Sequence, residues 1–179
     1  MNFDTAMATP KLGFGLMRLP KGPDGRYDLP QVCRMVDAFL SAGMTYFDTA
    51  YVYDNGDSER AAWAALVSRY PRESFTLATK LNTRVAKSEA QAKAQFQASL
   101  ERTGAGYFDY YLLHALQAQN AGTYDAWGIW DFVREQKEKG LVKHWGFSFH
   151  DSPQTLDRLL TDHPDAEFVQ LQINYADWE

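Results

Sequence analysis

The sequence predicts an α/β fold of the parallel (β/α) TIM-barrel type, incomplete, with about six of the barrel's eight strands present. Three observations lead there. Strand-period and helix-period segments alternate along the chain, which implies parallel strands joined by right-handed crossovers. The first strand lacks the G-x-G-x-x-G turn of an open dinucleotide-binding sheet, because Gly13 and Gly15 are followed by Leu16, Met17 and Arg18. Polar residues gather on one face of successive strands, at or near their C-terminal ends, where barrel enzymes place their chemistry.

The elements follow in order. Leu12–Leu19 is a short apolar stretch holding two glycines. Leu29–Ala42 carries a helical stripe of Val32, Val36, Phe39 and Leu40, with Pro30 in its first turn and Gly43 past its end. Thr45–Ala50 reads as a strand and Ser58–Tyr70 as a helix capped by Ser58. Ser74–Leu81 is the third strand, and Ser88–Arg102 is a helix opened by the capping-box pattern Ser88-x-x-Gln91. Tyr107–His114 is the fourth strand, and Thr123–Lys139 is a helix stopped by Gly140. His144–Phe149 is the fifth strand, Ser152–Thr161 a capped helix, and Phe168–Tyr175 the sixth strand. The aromatic residues Tyr124, Trp127 and Trp130 are expected to pack against the sheet rather than form a binding stripe.

Alternation along each strand sorts side chains onto two faces. Tyr46 and Asp48 share a face, as do Ala78 and Lys80, Tyr110 and His114, Gly146 and Ser148, and Gln170 and Gln172. The opposite faces carry Phe47, Leu77, Tyr111 with Leu113, Trp145 with Phe147, and Val169 with Leu171, apolar enough to lie under helices. Asp48, Lys80, His114, Ser148 and Gln170 should therefore converge at one mouth. A buried carboxylate and ammonium are costly unless paired, and Asp48 and Lys80, on adjacent strands, can pair.

Composition excludes several functions. The 179 residues include 18 basic and 23 acidic side chains, a net charge of −5 with no basic tract, so neither nucleic acid nor an anionic membrane is an expected partner. No apolar run approaches the roughly 20 residues of a membrane span. Met1–Pro10 shows no signal-peptide pattern, and a cytoplasmic protein is the default expectation. The single cysteine, Cys33, cannot form an internal disulfide and reads as a core residue on a helix face. The whole chain, 1–179, reads as one domain.

Six segments carry a resemblance. Phe47-Asp48-Thr49-Ala50-Tyr51-Val52-Tyr53 resembles the aldo-keto reductase motif of an Asp followed five residues later by a Tyr. Leu77-Ala78-Thr79-Lys80 resembles the third-strand motif ending in a Lys, and Asp109-Tyr110-Tyr111-Leu112-Leu113-His114 the fourth-strand motif ending in a His. Gly146-Phe147-Ser148 and Val169-Gln170-Leu171-Gln172-Ile173-Asn174 resemble the ends of the fifth and sixth strands. The opening Gly13-Phe14-Gly15-Leu16-Met17-Arg18-Leu19-Pro20 is similar to a bacterial branch that often carries a C-terminal iron–sulfur segment, but no cysteine cluster is present to hold one.

The resemblance implies an NAD(P)H-dependent oxidoreductase that reduces an aldehyde or ketone to an alcohol, with NADP(H) preferred over NAD(H) and no metal. It implies a catalytic tetrad of Asp48, Tyr53, Lys80 and His114, with Ser148 and Gln170 on the nicotinamide carboxamide and Asp48 also among the cofactor-binding residues. Carbonyl reduction needs a hydride at carbon and a proton at oxygen. A phenol is a weak acid at neutral pH, and a neighbouring ammonium makes it a better donor by stabilising the phenolate. Asp48 would hold the ammonium, and His114 would orient the carbonyl. Tyr51 is the competing donor, offset by three residues from Asp48 rather than five, and Gln172 competes with Gln170. Phe149 and His150 follow Ser148 where the family has Asn, and His150 is expected on a surface loop. Specificity is expected in loops such as Ala115–Gly122.

A full barrel needs eight strands and about 250 residues. The expectation is therefore a chain lacking the seventh and eighth strands, with open edges on its first and sixth strands that promote self-association. Such a chain should bind NADP(H) weakly and turn over carbonyls little or not at all, because the family's phosphate contacts lie on the missing strands. The alternative reading is a non-catalytic reductase-like binding or regulatory subunit. A metal-dependent hydrolase using Asp48, Asp109 and His114 fits poorly, because Asp109 alternates away from His114.

Overall fold

The computed structural model describes residues 10–174. Six strands form one parallel sheet in sequence order: β1 Gly13–Gly15, β2 Tyr46–Asp48, β3 Thr76–Leu81, β4 Phe108–Leu116, β5 Val142–Phe149 and β6 Phe168–Leu171. Helices α1 Leu29–Ser41, α2 Asp57–Ala62, α3 Glu89–Thr103, α4 Ala118–Ala126, α5 Ile129–Glu138 and α6 Pro153–Asp162 fill the connections. The order β1 to β6 without rearrangement belongs to a barrel wall, because a doubly wound sheet reverses direction at a switch point.

Side chains that skip a strand show that the sheet is curled. On the concave side the rings of Tyr46 and Tyr110 lie 5.4 Å apart, and those of Tyr110 and Phe168 are also 5.4 Å apart. These residues belong to β2, β4 and β6. Gln170 on β6 donates its amide N–H to Asp48 on β2 at 3.1 Å. In a flat sheet with strands about 4.8 Å apart, those two strands would be roughly 19 Å apart. Curvature is helped by Gly146, where any Cβ would run into the carbonyl of Phe168 on the paired strand.

The convex side is the hydrophobic core. Phe47, Leu77, Tyr111, Leu113, Trp145 and Phe147 are buried against helix residues such as Val32, Val36, Phe96, Trp130 and Val133. This is the apolar face that alternation assigns to the helices. Trp130 and Tyr124 are buried there too, and Trp127 packs at the margin. Cys33 is half-buried beside this core rather than inside it.

Several local readings differ from the structure. The predicted helix Thr123–Lys139 is two helices, because Gly128 adopts a left-handed φ of 56° and ends the first run. The segment Ala115–Gly122, expected as a loop, holds the end of β4 and the start of α4. Asn120 and Gln117 cap that helix reciprocally, a capping box built from amides. Ser58 does not cap its helix: it is buried one residue inside α2, where its hydroxyl donates to the Leu16 carbonyl at 2.9 Å and bonds Thr49 Oγ1. The helix instead starts on left-handed Gly56. The sixth strand is Phe168–Leu171 rather than Phe168–Tyr175, and Tyr175 lies outside the described residues.

Candidate active site at the strand ends

Strand register brings the predicted polar residues to one mouth. The centre is Lys80, at the end of β3, whose side chain is 1% exposed. Its ammonium donates to the Asp48 carboxylate, to the Thr49 carbonyl at 2.9 Å and to the Tyr53 hydroxyl at 3.3 Å. Three acceptors thus satisfy the three N–H bonds of a buried charge. Thr49 was not singled out from the sequence. Its contribution is a main-chain oxygen, which side-chain identity cannot signal.

Asp48 is shared. One carboxylate oxygen takes Lys80 and the other takes the Gln170 amide. Two strands that are not neighbours are thereby tied through one side chain. Tyr46, one turn of the pleat below, is pushed well above its ordinary range by burial, with the Asp48 charge acting in the same direction. It stays a neutral phenol that packs on Tyr110.

Tyr53, not Tyr51, meets Lys80. The chain after β2 turns through Asp54 and Asn55, at φ 48° and 56°, conformations uncommon for residues with a Cβ. Tyr51 lies elsewhere: the Arg102 guanidinium covers its ring at 4.3 Å. Tyr53 and His114 face each other edge to face, with centroids 5.6 Å apart.

His114 sits just before a bulge. The β4–β5 register shifts between Leu113 and Leu116, and Ala115 takes a left-handed φ of 54°. Ala115 is held on both sides. Its N–H donates to Ser148 Oγ at 2.7 Å, and its carbonyl accepts from the Asn120 amide at 2.9 Å. The Tyr124 hydroxyl donates to the His114 carbonyl at 2.8 Å. The imidazole Nδ1 is buried and has no hydrogen-bond partner among the described residues. Burial first, then the Lys80, His150 and Arg84 charges, push this imidazole down to about 3. It is neutral at pH 7, with one nitrogen to donate and one to accept.

A cavity of about 370 Å³ opens over these groups, lined by Asp48, Tyr53, His114, Ser148 and Gln170, with Met17, Arg18, His150 and Gln172 at its rim. All the predicted site residues except Lys80 face it, and Lys80 lies directly beneath. Gln172 also reaches it, so the cavity does not separate it from Gln170; the bond to Asp48 does. His150 is exposed, as expected, yet lines the rim of the cavity near His114. Met17 and Arg18, in the turn that follows β1, carry no signal in the sequence that marks them as lining residues. Among the described residues no group of His, Cys, Asp or Glu is arranged to hold a metal, and no helix is long and apolar enough to cross a membrane.

The fold and the site together define an α/β chain of barrel type with a Tyr–Lys–Asp–His cluster at its strand ends. The Aldo/keto reductase family matches residues 11–179, and the chain belongs to that family. It is 35% identical over 163 residues to an aldo-keto reductase of Mycolicibacterium vanbaalenii, covering 89% of this chain and 51% of that protein. It is 28% identical over 179 residues to a probable aldo-keto reductase of Glycine max, covering 94% of this chain and 48% of the relative. Among solved structures, an aldo-keto reductase from Bacillus halodurans in its holo form superposes with a TM-score of 0.70 at 26% identity, covering 91% of this chain and 53% of that one. An aldo-keto reductase from Klebsiella pneumoniae in complex with NADPH gives a TM-score of 0.73 at 21% identity, covering 92% and 55%. The chain spans about half the length of the relatives it matches.

The depressed His114 has a consequence for stability. An unfolded imidazole titrates near 6.5 and the folded one near 3, so between these values the unfolded chain binds a proton that the folded chain does not. The stabilisation is complete above about pH 6.5 and is lost as pH falls, by at most about 1.4 kcal/mol per pH unit. His163, lowered by burial, acts with the same sign. Urea denaturation between about pH 7 and pH 4 should therefore show a shallower loss of stability in His114→Gln than in the parent. Equal slopes would mean that the imidazole is not held neutral.

Proposed function

We propose that this chain supplies the catalytic half of an NAD(P)H-dependent reductase that converts an aldehyde or ketone to an alcohol. The observation that carries this reading is the Lys80 ammonium held between the Asp48 carboxylate and the Tyr53 hydroxyl, beside a neutral His114. A structural ion pair needs no phenol at its far side and no cavity above it.

The donor set suits a nicotinamide carboxamide. Ser148 Oγ accepts from the Ala115 N–H, which leaves its own proton to donate. Gln170 spends one N–H on Asp48 and keeps a second N–H and a carbonyl. Both line the same cavity. A reduced nicotinamide, when bound, supplies the hydride that the carbonyl carbon takes. The Klebsiella structure is described as a complex with NADPH, and NADP(H) rather than NAD(H) is the dinucleotide we propose for this chain.

The chain's own residues handle the proton. The Tyr53 hydroxyl donates to the carbonyl oxygen as negative charge develops there. The phenolate left behind lies 3.3 Å from the Lys80 ammonium, which stabilises it. Asp48 and the Thr49 carbonyl keep that ammonium in place. The neutral imidazole of His114 donates a hydrogen bond that orients the carbonyl.

Oxidation of NADPH by an aldehyde series, followed by absorbance, tests the reading, and parallel titrations with NADPH and NADH separate the two dinucleotides. In a chain completed to eight strands, Tyr53→Phe should lower turnover by at least about 10²-fold while leaving dinucleotide affinity nearly unchanged. Turnover that survives this change but is lost with Tyr51→Phe would assign the proton to the other tyrosine. Self-association belongs to the same proposal. Among the described residues β1 and β6 are unpaired on one side, and Leu171 and Ile173 are exposed near the β6 edge. Sedimentation velocity of the purified chain should show species larger than a monomer as concentration rises, and a concentration-independent monomer would refute it.

A further inference from the structure

Beneath the turn that carries Tyr53 lies a buried ion pair that the proton chemistry does not use. Glu59 on α2 is fully buried. One carboxylate oxygen accepts from the Thr79 hydroxyl at 2.7 Å, and the other accepts from Arg102 Nη1 at 3.1 Å. Thr79 lies on β3 next to Lys80, on the opposite face of the strand. Arg102 comes from the last turn of α3 and reaches across to the β2–α2 turn. Its Nη1 also donates to the Tyr51 carbonyl at 3.3 Å, and its plane covers the Tyr51 ring. The guanidinium occupies the space above Gly56, where any Cβ would collide with it.

The Tyr51 main chain is therefore gripped from two sides. Its N–H donates to the Lys80 carbonyl at 3.1 Å, and its carbonyl accepts from Arg102. Tyr53 follows two residues later, with its N–H on the Ala50 carbonyl at 3.1 Å. Beyond it, Asp54 and Asn55 hold left-handed conformations that persist only where surroundings impose them. A mere staple between α2 and α3 would need Glu59 and Arg102 but no bond to the turn.

We propose that Arg102, anchored by Glu59, is a positioning residue that holds the Tyr53 hydroxyl against the Lys80 ammonium. The proposal rests on the reading of Tyr53 as proton donor. Loss of the grip lets the turn relax, and displacement of a reacting group by about 1 Å can cost on the order of 10²-fold in rate.

The test compares the full chain with Arg102→Lys and with the double variant Glu59→Gln/Arg102→Met, which leaves no uncompensated buried charge. Cross-relaxation between the Tyr53 and His114 rings is read by NMR, with the Phe14–Phe39 ring contact as an internal control of the fold. NADPH-dependent turnover is measured alongside. In the double variant the Phe14–Phe39 contact should persist and the Tyr53–His114 contact should weaken or vanish. The kcat should fall about 10-fold or more with KM changed less than about 2-fold. Arg102→Lys, which keeps one cation near Glu59, should retain part of both signals. An unchanged Tyr53–His114 contact in the double variant would overturn the proposal. So would loss of both ring contacts together, because the pair would then serve the fold alone. If the contact weakens as expected but Tyr53→Phe leaves turnover intact, the positioning role stands and the proton-donor reading falls. Should the chain show no turnover, the ring contacts decide by themselves.

Discussion

The Lys80 ammonium sits at 1% exposure in the interior of a curled sheet, where an unpaired charge would cost several kcal/mol. Everything around it answers that cost. Asp48 comes from β2, the Thr49 carbonyl from the turn that follows, and the Tyr53 hydroxyl from further along the same turn. Asp48 then needs its second oxygen satisfied, and Gln170 reaches over from β6 to do so. One charge on one strand thereby draws in groups from β2, β6 and a strained turn. The curl of the sheet is the geometric condition for that bond, and the Tyr46, Tyr110 and Phe168 rings fill the concave side below it.

A second constraint acts on His114. Its ring lies across from Tyr53, close enough to the ammonium that protonation is opposed by charge as well as by burial. The bulge at Ala115 sets where β4 releases the ring, and the bulge is held by Ser148 and Asn120. Ser148 therefore has two sides. Its oxygen fixes the backbone beside His114, and its proton remains for another acceptor. On the proposed reading the neutral imidazole and the ammonium would divide the work: the charge would stabilise an anion, and the uncharged ring would supply direction without competing for the proton.

Much of this was legible in the residues, for reasons that can be named. Alternation works where a strand is straight, so Asp48, Lys80 and Ser148 were placed on the correct face by parity alone. Tyr53 lies beyond its strand, and parity says nothing there; only the family resemblance, with its five-residue offset from Asp48, points to it, and the structure holds Tyr51 elsewhere. Main-chain contributions were invisible, as with the Thr49 carbonyl. Ser58 looked like a helix cap because serine caps helices, but burial beside Thr49 outweighs the local preference. Gly128 gives no clear break signal in the sequence, because one glycine inside a helical pattern is usually tolerated, and only its left-handed φ reveals the break. The Glu59–Arg102 pair could not be found from sequence, because its partners are 43 positions apart and on different helices.

If the Asp48–Lys80 pair is the energetic keystone of the site, its two members are strongly coupled, and a double-mutant cycle reads that coupling directly. Stability is measured by urea denaturation for the parent, Asp48→Asn, Lys80→Met and the double variant. Each single change leaves a buried group without its partner, whereas the double change removes both charges. A coupling of about 2 kcal/mol or more is expected between the two positions. Additivity within about 0.5 kcal/mol would show that the two side chains do not depend on each other, and would contradict it.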